Sequence, residues 1–132
     1  MKRHLLFGLL PVAMVLSVLL PALVMAGTPP QRADVNPQLW ATIEAEGKAQ
    51  VLVVLRDQAD LSAAQALKTK EAKGRYVYDT LRAVAGRSQR DLRATLDAQK
   101  MAYQPFYIVN AIKLEAGGPL VQALASRADV AH

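Results

Sequence analysis

Five consecutive aliphatic residues, Val51-Leu52-Val53-Val54-Leu55, constrain this chain most. The run is too short for an ordinary buried helix and rich in valine, so it reads as a strand, Ala49–Arg56. Side chains alternate across a strand, so an unbroken apolar run predicts apolar contact on both faces of a sheet. The residues that follow must supply something to pack on each.

One face finds its cover in the pattern downstream. Asp60 caps a brief alanine-rich turn, Leu61–Leu67, and a long helix is expected over Lys70–Lys100. Val77, Leu81, Val84, Ser88, Leu92 and Leu96 fall on one line at helical spacing. Gly74 and Gly86 each cost about 1 kcal/mol in a helix interior, which allows a break near Gly86. Gln104–Val109 and Asn110–Ala116 then read as two strands, with Asn110 at the reversal or bulge because asparagine tolerates the left-handed region. Gly117-Gly118 ends the pair. Pro119 opens a second helix with Leu120, Val121 and Leu124 as its apolar stripe, and Ala128-Asp129 turns toward a strand beginning at Val130.

The order strand-helix-strand-strand-helix-strand predicts an α+β fold. The arrangement is a ferredoxin-like open-faced sandwich, an antiparallel sheet with its helices on one face. The last strand is expected to be cut short, since His132 follows Val130 by two residues. The first strand would then be an unprotected edge, a hazard for pairing and aggregation.

The N-terminus carries an address. Lys2, Arg3 and His4 precede a nearly unbroken apolar run, Leu5–Val24, and Val24-Met25-Ala26 offers compact residues at a cleavage site. Residues 1–26 read as a secretory signal peptide cut after Ala26, which predicts a secreted protein touching the membrane only before cleavage. A retained anchor is the competing reading, since the run is about long enough to span a bilayer, but Pro11 and Pro21 interrupt it. Cleavage takes 26 residues from 132 and leaves 106, enough for one small domain. It also removes two of 16 basic residues, so the net charge falls from +5 to +3.

Gly27–Val35 reads as a linker, with Pro29 and Pro30 denying it regular hydrogen bonding. A short helix follows, capped by Asn36, opened by Pro37 and ended by Gly47, with Leu39, Trp40 and Ile43 on its apolar side.

Chemistry is scarce in the residues. There is no cysteine, and His132 is the one histidine outside the signal, so no metal, cofactor or catalytic residue is predicted. The carboxylate pairs Glu44/Glu46 and Asp57/Asp60 sit at helix ends and turns, where caps and solvated charges are ordinary. Gly117-Gly118 lacks the rest of a phosphate-binding motif. Basic residues are interleaved with acidic ones, and Phe106 and Tyr107 would point to opposite strand faces, so no nucleic-acid partner is expected. A bare sheet face remains as the positive signal. Phe106 and Ile108 would share one side of the hairpin, and Tyr107 and Val109 the other. Such a face marks a partner site, or it is covered by the helix around Trp40.

The run FYIVNAIKLEA, followed by a short helix and Ala128-Asp129-Val130-Ala131, resembles the N-terminal propeptide of subtilisin-like serine proteases, a peptidase-inhibitor domain. The resemblance covers Ala49 to about Ala131 and joins five parts. They are the strand VLVVLR, the long helix KEAKGRYVYDTLRAVAGRSQRDLRATL, the strand pair, the helix LVQALASR and the closing ADVA. It implies a four-stranded open-faced sandwich whose free face docks on two surface helices of the protease domain. It also implies a role as intramolecular chaperone and inhibitor, not an enzyme in itself. The partner would be a subtilisin-like catalytic domain, in cis or in trans. The groove-blocking tail and the catalytic domain have no counterpart among these residues. Carried over by position, the docking residues would be Tyr107, Val109, Ala111, Lys113 and Glu115. The alternatives are a stand-alone secreted inhibitor and an exported ferredoxin-like binding module.

Overall fold

A computed structural model describes residues 32–132. The signal-peptide reading, with its cleavage after Ala26, lies outside the described residues.

The first helix, α1 (Pro37–Glu46), begins and ends where its sequence directs. The Asn36 side chain accepts a hydrogen bond from the Gln38 N–H at 2.9 Å. Gly47 closes the helix in the left-handed region at φ 77°, its N–H bonded to the Ile43 carbonyl. Ahead of it, the stretch read as a linker is tied down at its end. The Ala33 N–H donates to the Ala125 carbonyl at 2.9 Å, and the Asp34 N–H to Ala131 at 3.0 Å.

Strand β1 (Ala49–Val54) pairs antiparallel with β3 (Ala111–Ala116), which pairs antiparallel with β2 (Tyr103–Phe106), giving the order β1-β3-β2. The register sets Val53 opposite Ile112 and Val51 opposite Leu114, so these four share a face. That face carries the core. Leu92 and Leu96 from α3 (Arg90–Ala98) and Val121 and Leu124 from α4 (Gly118–Ala125) close over it. Leu39, Trp40 and Ile43 of α1 pack against its margin. Burying a leucine or valine side chain contributes about 1.5–3 kcal/mol, so this single cluster dominates the stability.

The expected last strand is not formed as a strand: beside the end of β1, residues 129–132 make a single bridge with flanking hydrogen bonds. Leu55 forms a bridge with Val130. The Arg56 N–H donates to Asp129 at 2.9 Å, and the Ala131 N–H to Val54 at 2.8 Å. The Val54 N–H reaches the His132 carbonyl at 2.6 Å, so two residues oppose one, the count of a β-bulge. Val130 is buried in the core. A bidentate pair, Arg127 to Asp129 at 2.8 and 2.7 Å, fixes the turn that delivers it.

Several boundaries differ from the sequence expectations. The long helix is two, α2 (Lys70–Ser88) and α3, and it stops at Ala98 rather than Lys100. The break falls near Gly86, as expected, and lies at Gln89, whose buried side chain is drawn into a polar cluster that joins the helices to the hairpin. The second strand ends at Phe106 instead of Val109, and the chain turns through residues 107–110. The third strand consequently begins at Ala111 rather than Asn110.

Candidate docking surface

Opposite the core, the sheet presents a face made by the other half of each strand. Leu52 faces its register partner Lys113, Gln50 faces Glu115, and Val54 faces Ala111. On the far side, Gln104 lies against Lys113 and Phe106 against Ala111. Strand alternation places all of these away from the helices. Two of its apolar members are exposed, Leu52 at 53% and Phe106 at 36%. Ile108, at 73%, and Val109, at 51%, extend the patch from the turn. Together with Pro105 and Ala111 they form a shallow hollow at one end of the face. At the other end, Lys48 and Glu115 form an exposed ion pair at 2.8 Å.

The five residues expected to dock divide into four groups. Lys113 and Glu115 lie on this face, with Glu115 exposed and Lys113 half-buried. Ala111 has the expected facing but is buried, because Val54 and Phe106 flank its short side chain from both sides. Val109 reaches the hollow from the turn rather than from a strand. Tyr107 also borders the hollow, but its ring turns toward α2. Its ring meets Tyr78 of α2 edge-on at 5.9 Å between centroids, with the Arg82 guanidinium 5.3 Å from it. It therefore packs on the helix side and anchors the turn to α2. Leu52, Phe106 and Ile108, absent from the expected set, are the exposed apolar residues nearest that hollow. Leu52 was legible as one half of the two-faced aliphatic run. Ile108 was not, because its exposure depends on the turn.

A polar cluster holds the hollow in shape. Asn110 is buried and its side chain donates to the Asp57 carbonyl and, at 2.6 Å, to Ser88 Oγ. Gln89 Nε2 donates to Asn110 Oδ1 at 2.8 Å and to the Phe106 carbonyl at 2.7 Å. The Asn110 N–H donates to Gln58 Oε1 at 3.0 Å, while Gln58 Nε2 donates to the Leu55 carbonyl at 2.7 Å. The end of β1, the α2–α3 junction and the β2–β3 turn are thus tied through one side chain. No buried side-chain polar atom among the described residues lacks a partner.

Of the carboxylates considered for acid–base chemistry, Asp57 and Asp60 take structural positions. Asp60 accepts a hydrogen bond from the Ser62 N–H at 2.9 Å, capping a 3-10 turn, Ser62–Ala66. That bond, with a second from the Ser62 side chain, holds the Asp60 pKa below its ordinary value. Asp57 pairs with Arg87 at 2.8 Å across exposed surface. Bonding to Asp129 raises the Arg127 pKa, keeping the guanidinium charged. Among the described residues, no three His, Asp or Glu side chains are grouped to hold a metal ion.

Compared with known proteins, the chain matches no family model, no curated protein and no solved structure.

Proposed function

We propose that this chain is a non-catalytic docking domain of the kind found as the propeptide of secreted subtilisin-like serine proteases. It acts as chaperone and inhibitor of the protease domain by laying its open sheet face on it. In this reading the fold is a ferredoxin-like open-faced sandwich, with residues 129–132 as the start of its fourth strand beside β1. The strand order supports this reading: the bridged segment, β1, β3 and β2 follow one another across the sheet. The resemblance of the FYIVNAIKLEA segment supports the partner class.

The observation that carries the proposal is the one-sidedness of the sheet. Every helix that reaches the core packs on one face, while Leu52, Phe106, Ile108 and Val109 stand exposed on or beside the other. Exposed apolar patches bordered by charge mark protein interaction sites, and Lys113, Glu115 and Lys48 supply the polar border here. Mixing the chain with a subtilisin tests it. Slow-binding inhibition or a stable complex is the expected result. Absence of any complex would favour an exported binding module with another partner.

A further inference from the structure

Arg82, Gly86, Gln89 and Arg93 follow one another at spacings of four, three and four residues, which keeps them on one helical line. The line runs on across the break between α2 and α3, because Gln89 holds right-handed helical backbone at φ −80° and ψ −11°. Pro105, Phe106 and Tyr107, at the end of β2 and the start of the turn, stand opposite and close a cleft of about 150 Å³. Gly86 leaves its centre open. Nothing beyond its own helix lies within 4 Å of where a Cβ would stand.

Two cations and no carboxylate line this cleft. Arg82 lies over the Tyr78 and Tyr107 rings, 5.9 and 5.3 Å from their centroids. Arg93 lies 5.9 Å from the centroid of the Tyr103 ring and donates its Nε–H to that hydroxyl at 3.3 Å. The hydroxyl in turn donates to Asp97 at 2.9 Å. Aromatic contact positions a guanidinium without using up the N–H donors in its plane. Among the described residues neither Arg82 nor Arg93 has a carboxylate partner, whereas Arg87 and Arg127 are paired at 2.8 and 2.7 Å. Both side chains reach solvent, so an anion can enter.

We infer that this cleft is an anion site, taking one doubly charged tetrahedral oxyanion, a phosphate or sulfate group, between the Arg82 and Arg93 guanidiniums. Two donor forks suit a group with several acceptor oxygens, and its two negative charges balance the two cations. A single carboxylate would leave one cation unneutralised. The site lies on the helix side and stands apart from docking on the sheet face.

Nuclear magnetic resonance on the full 132-residue chain tests it, with sodium phosphate or sodium sulfate titrated against sodium chloride at constant ionic strength. Both dianions should shift the Arg82 and Arg93 Nε–H signals and the Gly86 amide along one saturable curve. Arg75, exposed on the same helix, should not move. Arg82→Gln and Arg93→Gln should each weaken binding by about 10-fold, with unchanged circular dichroism. Gly86→Glu should supply the anion in place and abolish the response, while Gly86→Gln, of similar helix propensity, should keep most of it. Vesicles containing phosphatidic acid separate two sources of the group. Competition with free phosphate for the same signals assigns a lipid headgroup, and a response to the free ion alone assigns a soluble oxyanion. A response no larger than with chloride, a rise without saturation, or binding that survives Gly86→Glu and both arginine variants would overturn the inference. A chain that binds a subtilisin yet ignores phosphate and sulfate would refute this inference alone.

Discussion

Gln89 Nε2 lies 2.8 Å from Asn110 Oδ1, a contact between two buried side chains 21 residues apart. It joins the break in the helix to the end of the hairpin turn. Both irregularities therefore share one cause: each gives up regular geometry so that the two amides can meet.

Asn110→Ala should be among the most destabilising polar substitutions in the chain. It leaves the half-buried Asp57 carbonyl and the buried Gln89 Nε2 each short of a partner. The expected loss is about 2–4 kcal/mol, read as a lowered urea midpoint. A double-mutant cycle with Gln89→Ala should return a coupling of about 1 kcal/mol or more. Additive losses would show that the cluster is not cooperative.

The two faces of β1 should respond oppositely to truncation. Val53→Ala opens a cavity under Leu92 and Ile112 and should cost about 1–3 kcal/mol. Leu52→Ala, on the open face, should stay within about 0.5 kcal/mol of the parent. Equal losses would mean that the open face is covered in the free protein.

Glycine substitutions should separate local from tertiary demands. Gly47 sits at φ 77°, so Gly47→Ala should cost about 1–2 kcal/mol even though nothing crowds the site. Gly86 lies inside α2 with open space around it, and Gly86→Ala should gain about 0.5–1 kcal/mol. Lys100 holds φ 54°, just past α3, and Lys100→Gly should also stabilise. Thermal midpoints of the three variants settle the signs.

Acid should loosen the Ser62–Ala66 turn before the core. The folded-state pKa of Asp60 is depressed, so its cap is fully present above the ordinary aspartate range. The contribution fades as pH falls through that range and is gone below the lowered value. Asp60→Asn should flatten this dependence, measured as exchange at the Ser62 amide against pH. An unchanged profile would show that the cap is not what protects that amide.

Much of the fold was legible because local signals agreed. Asn36, Pro37 and Gly47 bracket α1, and the valine-rich run is a strand. What misled was propensity read without partners. Gly86 pointed to the right neighbourhood for the helix break, but the hydrogen bonds gathered by buried Gln89 fix its place three residues on. Tyr107, Ile108 and Val109 have strong strand propensity, yet the Asn110 cluster pulls them into a turn. That turn carries the Tyr107 ring toward α2 and leaves Ile108 and Val109 exposed, while Lys113 and Glu115 keep the facing that strand alternation gives them.

The most direct test of the account is a titration of a subtilisin with the full chain and with Leu52→Asp and Ile108→Asp. The account predicts slow-binding inhibition by the parent chain. It also predicts a loss of at least ~10-fold in affinity for each variant, with unchanged circular dichroism, since an interface anchor contributes about 1–2 kcal/mol or more. Inhibition that survives both aspartates, or no complex with the parent chain, would contradict docking through the open sheet face.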